Sequence, residues 1–392
     1  MNDKSKRAAL GFVVLLGVVS LFADVTYEGA RGVSGPFLAT LGAGAAAVGL
    51  AAGLGELVGY ALRLVSGVVS DRTRAYWTIT FVGYGLNLIA VPALALAGRW
   101  EVAAGLIVLE RLGKAIRSPA RDAILADAAD RVGHGKAFGL HEALDQIGAV
   151  VGPLFLAFVF ARDGGYRLGF ALLAIPAALA LAALVAARVV YGRGPADGAP
   201  AKARFAGTRG LGGAFWLYIA AAGLMAAGFA DFPIVAYHVK RAALLPDGAI
   251  PGLYAAAMAA DALSALVFGA FFDRRGIRCL AVAALLAAGA APLLFLAGSA
   301  GVVAGMILWG CALGAHESVL RAAIASMVPA GRRAAAYGLF YAGYGACWFA
   351  GSVAIGALAD WSAGAVVVFV VAAQCLALPP LFAAARRADA AA

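Results

Sequence analysis

Three ionisable side chains lie close together in the first long apolar stretch of this chain, where they could bind ions or carry protons. Asp24, Glu28 and Arg31 follow one another at spacings of four and three residues, which places them on one face of a helix. Burying an ionisable group at the centre of a bilayer costs on the order of 3 kcal/mol, so such groups are usually paired, hydrated or functional. These residues are therefore candidates for a proton-coupling or substrate-binding cavity.

Other apolar stretches also contain ionisable residues. The further candidates are Glu56, Glu110, Arg111, Lys114, Asp145, Glu317 and Arg321. Two interpretations of these charges stay open: permanent ion pairs between helices, or carboxylates that bind substrate or protons. In the second case an arginine that moves between two carboxylates would load and release a proton. Because most of the carboxylates lie in the first half of the chain, we expect ion handling to be concentrated there.

The composition is that of a membrane protein. Of 392 residues, 64% are hydrophobic and 13% charged, whereas soluble proteins are about 45–50% apolar. With about 20 residues per crossing, membrane helices are expected near 8–39, 43–70, 76–97, 101–125, 135–161, 166–190, 213–239, 250–272, 278–298, 301–326, 332–359 and 362–385. The sequence thus predicts an all-α membrane protein with two six-helix bundles, at 1–190 and 213–392. The Gly- and Pro-rich segment 191–212 is the expected cytoplasmic linker.

Basic residues set the expected orientation. Lysines and arginines are concentrated at the N-terminus, in the linker and in alternate connecting loops, which predicts that both termini are cytoplasmic. The net charge of +10 is therefore a topology signal and does not indicate a nucleic-acid partner. We expect a multi-pass protein of the plasma membrane, the inner membrane of a bacterial cell, with the lipid bilayer as its surroundings.

A short loop pattern occurs twice in the chain. Gly67, Asp71 and Arg72 recur 202 residues later as Gly269, Asp273 and Arg274, each time between two apolar stretches. A second pair of similar segments, around Gly139 and 199 residues further on, supports an internal duplication. Duplicated helical halves that enclose a central site are typical of secondary transporters.

The repeated Gly-x-x-x-Asp-Arg loop resembles the signature loop of the major facilitator superfamily, and the twelve expected helices extend this resemblance over the whole chain. The resemblance implies a transporter that works by alternating access, with the two loops forming a conformational gate. In the family pattern a glycine follows three residues after the aspartate. The second loop keeps this residue as Gly276, whereas the first has Arg74.

The fifth expected helix contains regularly spaced small residues. Gly139, Gly148, Gly152 and Pro153 resemble the motif of superfamily antiporters, although the two glycines that end the motif are missing. Glycines on one face allow two helices to approach closely, and proline removes a backbone donor and permits a bend. The resemblance favours proton-driven efflux.

The expected function is therefore proton-coupled export of a small organic solute. The alternatives are an uptake symporter or uniporter for an anionic metabolite, which the basic residues near Lys114 would suit, and a non-transporting scaffold or sensor. The sequence contains no zinc, nucleophile-elbow or P-loop motif, and its four cysteines have no C-x-x-C spacing. We expect no enzyme activity, no metal and no cofactor; the expected partners are the substrate and protons, and the expected state is a monomer.

Overall fold

A computed structural model describes residues 3–191, 211–328 and 333–389. The helices of the first half are α1 (Asp3–Thr40), α2 (Ala45–Thr73), α3 (Tyr76–Ala93), α4 (Trp100–Val132), α5 (His134–Ala161), α6 (Gly165–Leu172) and α7 (Ala174–Tyr191). Those of the second half are α8 (Gly213–Ala227), α9 (Phe232–Arg241), α10 (Ala249–Arg275), α11 (Leu280–Phe295), α12 (Ser299–Met327), α13 (Arg333–Trp361) and α14 (Ala363–Asp389). The described residues contain no β-strand, so the expected all-α fold is confirmed.

Within the described residues, ten helical stretches are long and apolar enough to cross a membrane. One of them, Ala249–Phe295, has 47 residues and comprises α10, a short 3-10 turn and α11. At about 20 residues per crossing it is long enough for two spans. Helix α4 is not among the ten, although its 33 residues would suffice, because it contains many charged residues. If Ala249–Phe295 is counted as two spans and α4 as one more, the helices are consistent with twelve spans.

Two of the expected helices are interrupted. The span expected at 166–190 breaks at Leu173 between α6 and α7, and the one expected at 213–239 breaks at residues 228–231 between α8 and α9. In the second case Pro233, near the start of α9, has no backbone N–H to continue the ladder. The linker expected at 191–212 lies, except for its ends, outside the described residues.

The chain forms two compact units. Unit 1 comprises Met1–Ser34 and Leu62–Lys202, and unit 2 comprises Gly35–Ala61 and Ala203–Ala392. The end of α1 and the first half of α2 therefore pack in unit 2, while the rest of both helices packs in unit 1. The division of the sequence into bundles at 1–190 and 213–392 stays a prediction.

Glycines allow the helices of unit 2 to touch through their backbones. A Cβ atom on Gly351 of α13 would lie 2.1 Å from the carbonyl oxygen of Ala227 in α8. A Cβ atom on Gly35 would lie 1.9 Å from the carbonyl oxygen of Pro233. No side chain fits at such distances, so these positions require glycine.

The N-terminus of α2 is capped from within unit 2. The carboxylate of Asp360, at the end of α13, accepts hydrogen bonds from the backbone N–H groups of Ala45 at 2.9 Å and Ala46 at 2.8 Å. The first N–H groups of a helix have no partner inside the helix, and a carboxylate there also interacts favourably with the helix dipole. Asp360 thus anchors the start of α2.

The two repeated loops share a positive φ angle at corresponding positions. Gly276 has φ 58° and ψ −151°, a region that only glycine adopts readily. Arg74, at the corresponding position of the first loop, also has a positive φ of 53°. Replacement of the family glycine by Arg74 has therefore left the positive φ in place, at a cost of about 1 kcal/mol.

This comparison predicts that substitution by alanine destabilises the second loop much more than the first. Gly276→Ala should lower the free energy of unfolding by about 1–3 kcal/mol, because the new Cβ atom strains a glycine-only conformation. Arg74→Ala should change it by less than about 0.5 kcal/mol, since a residue with a Cβ atom already occupies that position. Melting temperatures of the two purified variants test this, and equal destabilisation of both would contradict it.

Candidate functional site

The charged residues of unit 1 are positioned by close contact between α1 and α5. A Cβ atom on Gly148 would lie 2.5 Å from the carbonyl oxygen of Leu21 and 2.8 Å from the Cβ atom of Asp24. One turn further along, a Cβ atom on Gly152 would lie 2.4 Å from the carbonyl oxygen of Val25. The two backbones therefore meet beside Asp24, with no side chain between them.

A lysine on α4 lies next to α1. The Nζ atom of Lys114 is 3.7 Å from the Oε1 atom of Glu28 and 4.0 Å from the centre of the Tyr27 ring. Both Glu28 and Tyr27 are buried. An ammonium group over an aromatic face gains about 0.5–2 kcal/mol, more when water is excluded. Lys114 is thus held by a carboxylate and a ring at the same time.

Glu110, one helical turn before Lys114, is held by α3. The Nδ2 atom of Asn87 donates a 2.7 Å hydrogen bond to the Oε1 atom of Glu110, and the Nε atom of Arg111 is 3.4 Å from Oε2. Helix α3 reaches Glu110 because a Cβ atom on Gly113 would lie 2.4 Å from the backbone nitrogen of Asn87. Arg31 of α1 is also within electrostatic reach of this carboxylate.

Arg117 is the most deeply buried cation of the group, with 1% of its surface exposed. Its guanidinium lies 4.2 Å from the centre of the Tyr84 ring and 5.7 Å from that of Tyr27. Within the described part of the chain, its Nε and Nη1 atoms have no hydrogen-bond partner. Arg117 is therefore stabilised by aromatic faces and keeps two N–H groups that could bind an acceptor.

A polar network joins α1, α4 and α5 near the next turn of α4. Arg121 donates a 2.8 Å hydrogen bond to the hydroxyl of Ser20, whose oxygen is 2.9 Å from Nε2 of His141. The Oδ2 atom of Asp145 is 3.9 Å from Nη1 of Arg121 and 3.6 Å from Nδ1 of His141. Arg121 also forms a 2.8 Å ion pair with the neighbouring Asp122. Asp145 is thus only weakly paired.

Asp24 and Asp145 form a pair of acids on α1 and α5, of which Asp24 is buried and Asp145 is half-buried. They lie within electrostatic reach of each other, and Lys114 and Arg117 lie within reach of both. The Oδ1 atom of Asp145 has no hydrogen-bond partner among the described residues. Two buried carboxylates that repel each other favour a state in which one of them carries a proton. The two acids are therefore candidates for a proton-binding pair.

Unit 1 brings together most of the residues that the sequence singled out. The candidates that share its charged cluster are Asp24, Glu28, Arg31, Glu110, Arg111, Lys114 and Asp145. Glu56 and Glu317 lie in unit 2, both within electrostatic reach of Tyr344. The side chain of Arg321 lies outside the described residues. The network partners Ser20, Tyr84 and Asn87 were missed because neutral polar residues do not stand out in an apolar stretch.

The two gate loops differ in their surroundings. In the first loop, a Cβ atom on Gly67 would lie 3.6 Å from Pro119 of α4, and the exposed Asp71 accepts a 3.1 Å hydrogen bond from the Tyr76 hydroxyl. The neighbouring Arg72 is exposed. In the second loop a Cβ atom on Gly269 would meet no heavy atom within 4 Å, and Asp273 and Arg274 are exposed. Their role as a conformational gate stays a prediction.

The break between α8 and α9 holds a buried acid that the sequence did not mark as a site. Asp231, with 1% of its surface exposed, accepts a 3.0 Å hydrogen bond from Nε1 of Trp348 and another from the hydroxyl of Ser352. Nε1 of Trp309 donates a 2.8 Å hydrogen bond to the carbonyl oxygen of Ala230. Side chains of α12 and α13 thus donate hydrogen bonds to the Ala230 carbonyl and the Asp231 carboxylate at the break in the helix.

The glycine contact between α1 and α5 can be tested directly. Gly152→Ala should lower the free energy of unfolding by about 1–3 kcal/mol, because the added methyl group overlaps the α1 backbone. Gly139→Ala is the matched control on the same helix, since its Cβ atom would meet no heavy atom within 4 Å. The melting temperatures of the two purified variants test this prediction. A Gly152→Ala variant as stable as the control would show that α1 and α5 are not in contact.

Comparisons with known proteins agree with this architecture. Residues 14–315 match the family model described as Major Facilitator Superfamily. An uncharacterized protein of Mycobacterium tuberculosis is 42% identical over 384 residues, which cover 96% of this chain and 93% of that protein. The class D tetracycline resistance protein of Salmonella ordonez is 28% identical over 172 residues, 41% of this chain and 42% of that protein.

The fold is also that of a solved transporter. The crystal structure of the peptide transporter POT in complex with sulfate has a TM-score of 0.78 with this chain at 15% identity, covering 96% of this chain and 94% of that one. At this level of identity the match shows the fold. The expected family is thus confirmed, as is the expectation of a transporter in place of an enzyme: this chain is a multi-pass membrane protein that belongs to the major facilitator superfamily.

Proposed function

We propose that this protein is a proton-coupled exporter of a small organic solute that works by alternating access. The observation that carries the proposal is the acid pair on α1 and α5, the buried Asp24 and the half-buried Asp145, which lies beside three cations of α4. A proton-coupled transporter needs a group that binds a proton on one side of the membrane and releases it on the other. A carboxylate pair that can share one proton meets this requirement.

Arg117 supplies the means to link proton binding to movement. Its two unpartnered N–H groups lie within electrostatic reach of both acids. When both carboxylates are ionised, a hydrogen bond from Arg117 to one of them stabilises the pair. When one carboxylate takes up a proton from water, the arginine loses that partner and the helices are free to rearrange. Release of the proton to water on the other side restores the ion pair.

Export is favoured over uptake by two observations. Two α5 glycines of the segment that resembles the antiporter motif contact α1, Gly148 at Asp24 and Gly152 one turn further along. The class D tetracycline resistance protein, which shares 28% identity over 172 residues, is named for resistance to a drug. Removal of a drug from the cell is one route to resistance, so this relative fits an exporter.

Uptake of an anionic metabolite is the second candidate. Arg117 offers two buried N–H groups without a partner among the described residues, and guanidinium groups bind carboxylates and phosphates well. In that case the substrate would approach the α4 cations directly, and the acid pair would act as their counter-charge. The two candidates differ in the direction of proton movement: an exporter moves protons opposite to the substrate, whereas an uptake symporter moves them in the same direction as the substrate.

The proposed topology follows from the basic loops and the helix count. An even number of spans places both termini on one side of the membrane, and the excess of lysine and arginine in the linker and N-terminus makes that side cytoplasmic. The repeated loops at Asp71 and Asp273 then lie at the cytoplasmic face, where they could gate the site. We propose that the protein acts as a monomer in the plasma membrane.

Replacing the acid pair tests the proposal. In proteoliposomes with an inward or outward pH gradient, Asp24→Asn and Asp145→Asn should each abolish proton-driven transport of tetracycline, because neither variant can form the ionised pair. Tetracycline exchange without a gradient should remain within about threefold of the wild type, since it needs no proton cycle. A pH-sensitive dye inside the vesicles and radiolabelled tetracycline measure the two fluxes.

Glu101→Gln is the matched control, because Glu101 lies on the same helix as Lys114 but is exposed and paired with Arg99 at 3.0 Å. This variant should transport like the wild type. Glu28→Gln, which removes the partner of Lys114, is expected to impair coupling as well. Normal proton coupling in both acid-pair variants would contradict the proposal.

A further inference from the structure

We propose that an aromatic cluster in unit 2 recognises the transported molecule, and that it takes a planar aromatic solute with a carbonyl or hydroxyl group. The aromatic cluster consists of Tyr60 on α2, Tyr344 and Trp348 on α13, Phe229 in the break between α8 and α9, and His316 on α12. This inference rests on the proposed transport function and names the class of its substrate.

The rings of the cluster are close enough to act as one surface. The Tyr60 ring lies 5.3 Å from that of Tyr344 at an interplanar angle of 85°, and 6.4 Å from that of Trp348. The Phe229 ring lies 5.3 Å from Trp348 and 5.0 Å from His316. Ring centroids 4.5–7 Å apart are typical of favourable aromatic pairs. All of these rings except Tyr60 are buried, so a planar molecule would bind by separating them, and it would then meet both ring faces and ring edges.

Hydrogen bonds fix the orientation of these rings. The indole N–H of Trp348 donates to Asp231 at 3.0 Å, and the Tyr344 hydroxyl is 3.3 Å from Nδ1 of His316. Tyr60 can pack directly onto α13 because a Cβ atom on Gly345 would lie 2.9 Å from that of Tyr60. Rings that are already held in place lose little conformational entropy when a ligand binds, which favours affinity.

His316 is the observation that points to a ligand. It is buried, with 3% of its surface exposed, and its Nε2 atom has no hydrogen-bond partner in the described part of the chain. A buried polar atom without a partner costs about 1–3 kcal/mol. A carbonyl or hydroxyl group of a bound molecule would complete its hydrogen bonding, while the aromatic part of that molecule packs on the neighbouring rings.

The position of the cluster at a helix break supports a substrate role. Phe229 lies in residues 228–231, where α8 ends and α9 has not yet begun. Membrane transporters often build their substrate sites at interrupted helices, because irregular backbone is tolerated only beside protein or a cavity. The break therefore lies where a site for the transported molecule is expected.

The experiment measures binding to the purified full chain in nanodiscs without any gradient. Tetracycline, adenosine and ethidium serve as planar probes, and alanyl-alanine as a non-aromatic probe. At least one planar probe should raise the melting temperature of the wild type in a saturable manner, and alanyl-alanine should not. His316→Phe keeps the ring beside Phe229 but removes Nε2, and should weaken binding of that probe about tenfold. Tyr60→Leu should weaken it by a similar factor.

His238→Phe is the matched control, because His238 lies in the same unit and contacts the ring of Phe295 at 5.1 Å. This variant should bind within about twofold of the wild type. The inference fails if no planar probe binds, if alanyl-alanine binds equally well, or if His316→Phe and His238→Phe have the same effect. Because binding is measured without a gradient, it does not depend on proton coupling, so a failure of the proposed coupling is recognised separately.

Discussion

Direct backbone contact between helices is the constraint on which the rest of this structure depends. At Gly148 and Gly152 the α5 backbone comes so close to α1 that a methyl group would overlap a carbonyl oxygen. This contact brings Asp24 towards Asp145, and it leaves no space for lipid or a bulky side chain to separate the two acids. A glycine therefore has an electrostatic role here: it brings together two like charges that longer side chains would keep apart.

The cations of α4 offset the electrostatic cost of placing these two acids close together. Lys114, Arg117 and Arg121 each interact with aromatic rings, hydroxyl groups or carboxylates, and Arg117 keeps unpartnered N–H groups inside the described network. Buried ion pairs in general add little net stability, because the free energy needed to remove the charges from water is about as large as their mutual attraction. The unpartnered N–H groups of Arg117 fit the proposed rearrangement, because a hydrogen bond to a carboxylate could form there and break again.

Much of the fold could be predicted from the sequence, because long apolar stretches and repeated loops are strong local signals. The helix breaks could not, since Gly228 and Leu173 lie in a chain with 51 glycines and many leucines, where single residues carry little information. The charged cluster was predicted from spacing along α1 and α4. The aromatic cluster was not, because Tyr60 and Trp348 are 288 residues apart, and only the tertiary fold brings them together. For the same reason Glu56 was grouped with the charges of the first half, whereas it packs in unit 2.

The cap that Asp360 provides for α2 has a consequence for how that helix can behave. Its partners are two amide groups at the very end of the helix, and water can replace a terminal cap of this kind at a cost of only about 0.5–2 kcal/mol. The attachment is strong enough to favour one arrangement and weak enough for thermal motion to undo. The beginning of α2 is thereby held by a contact that can break and form again.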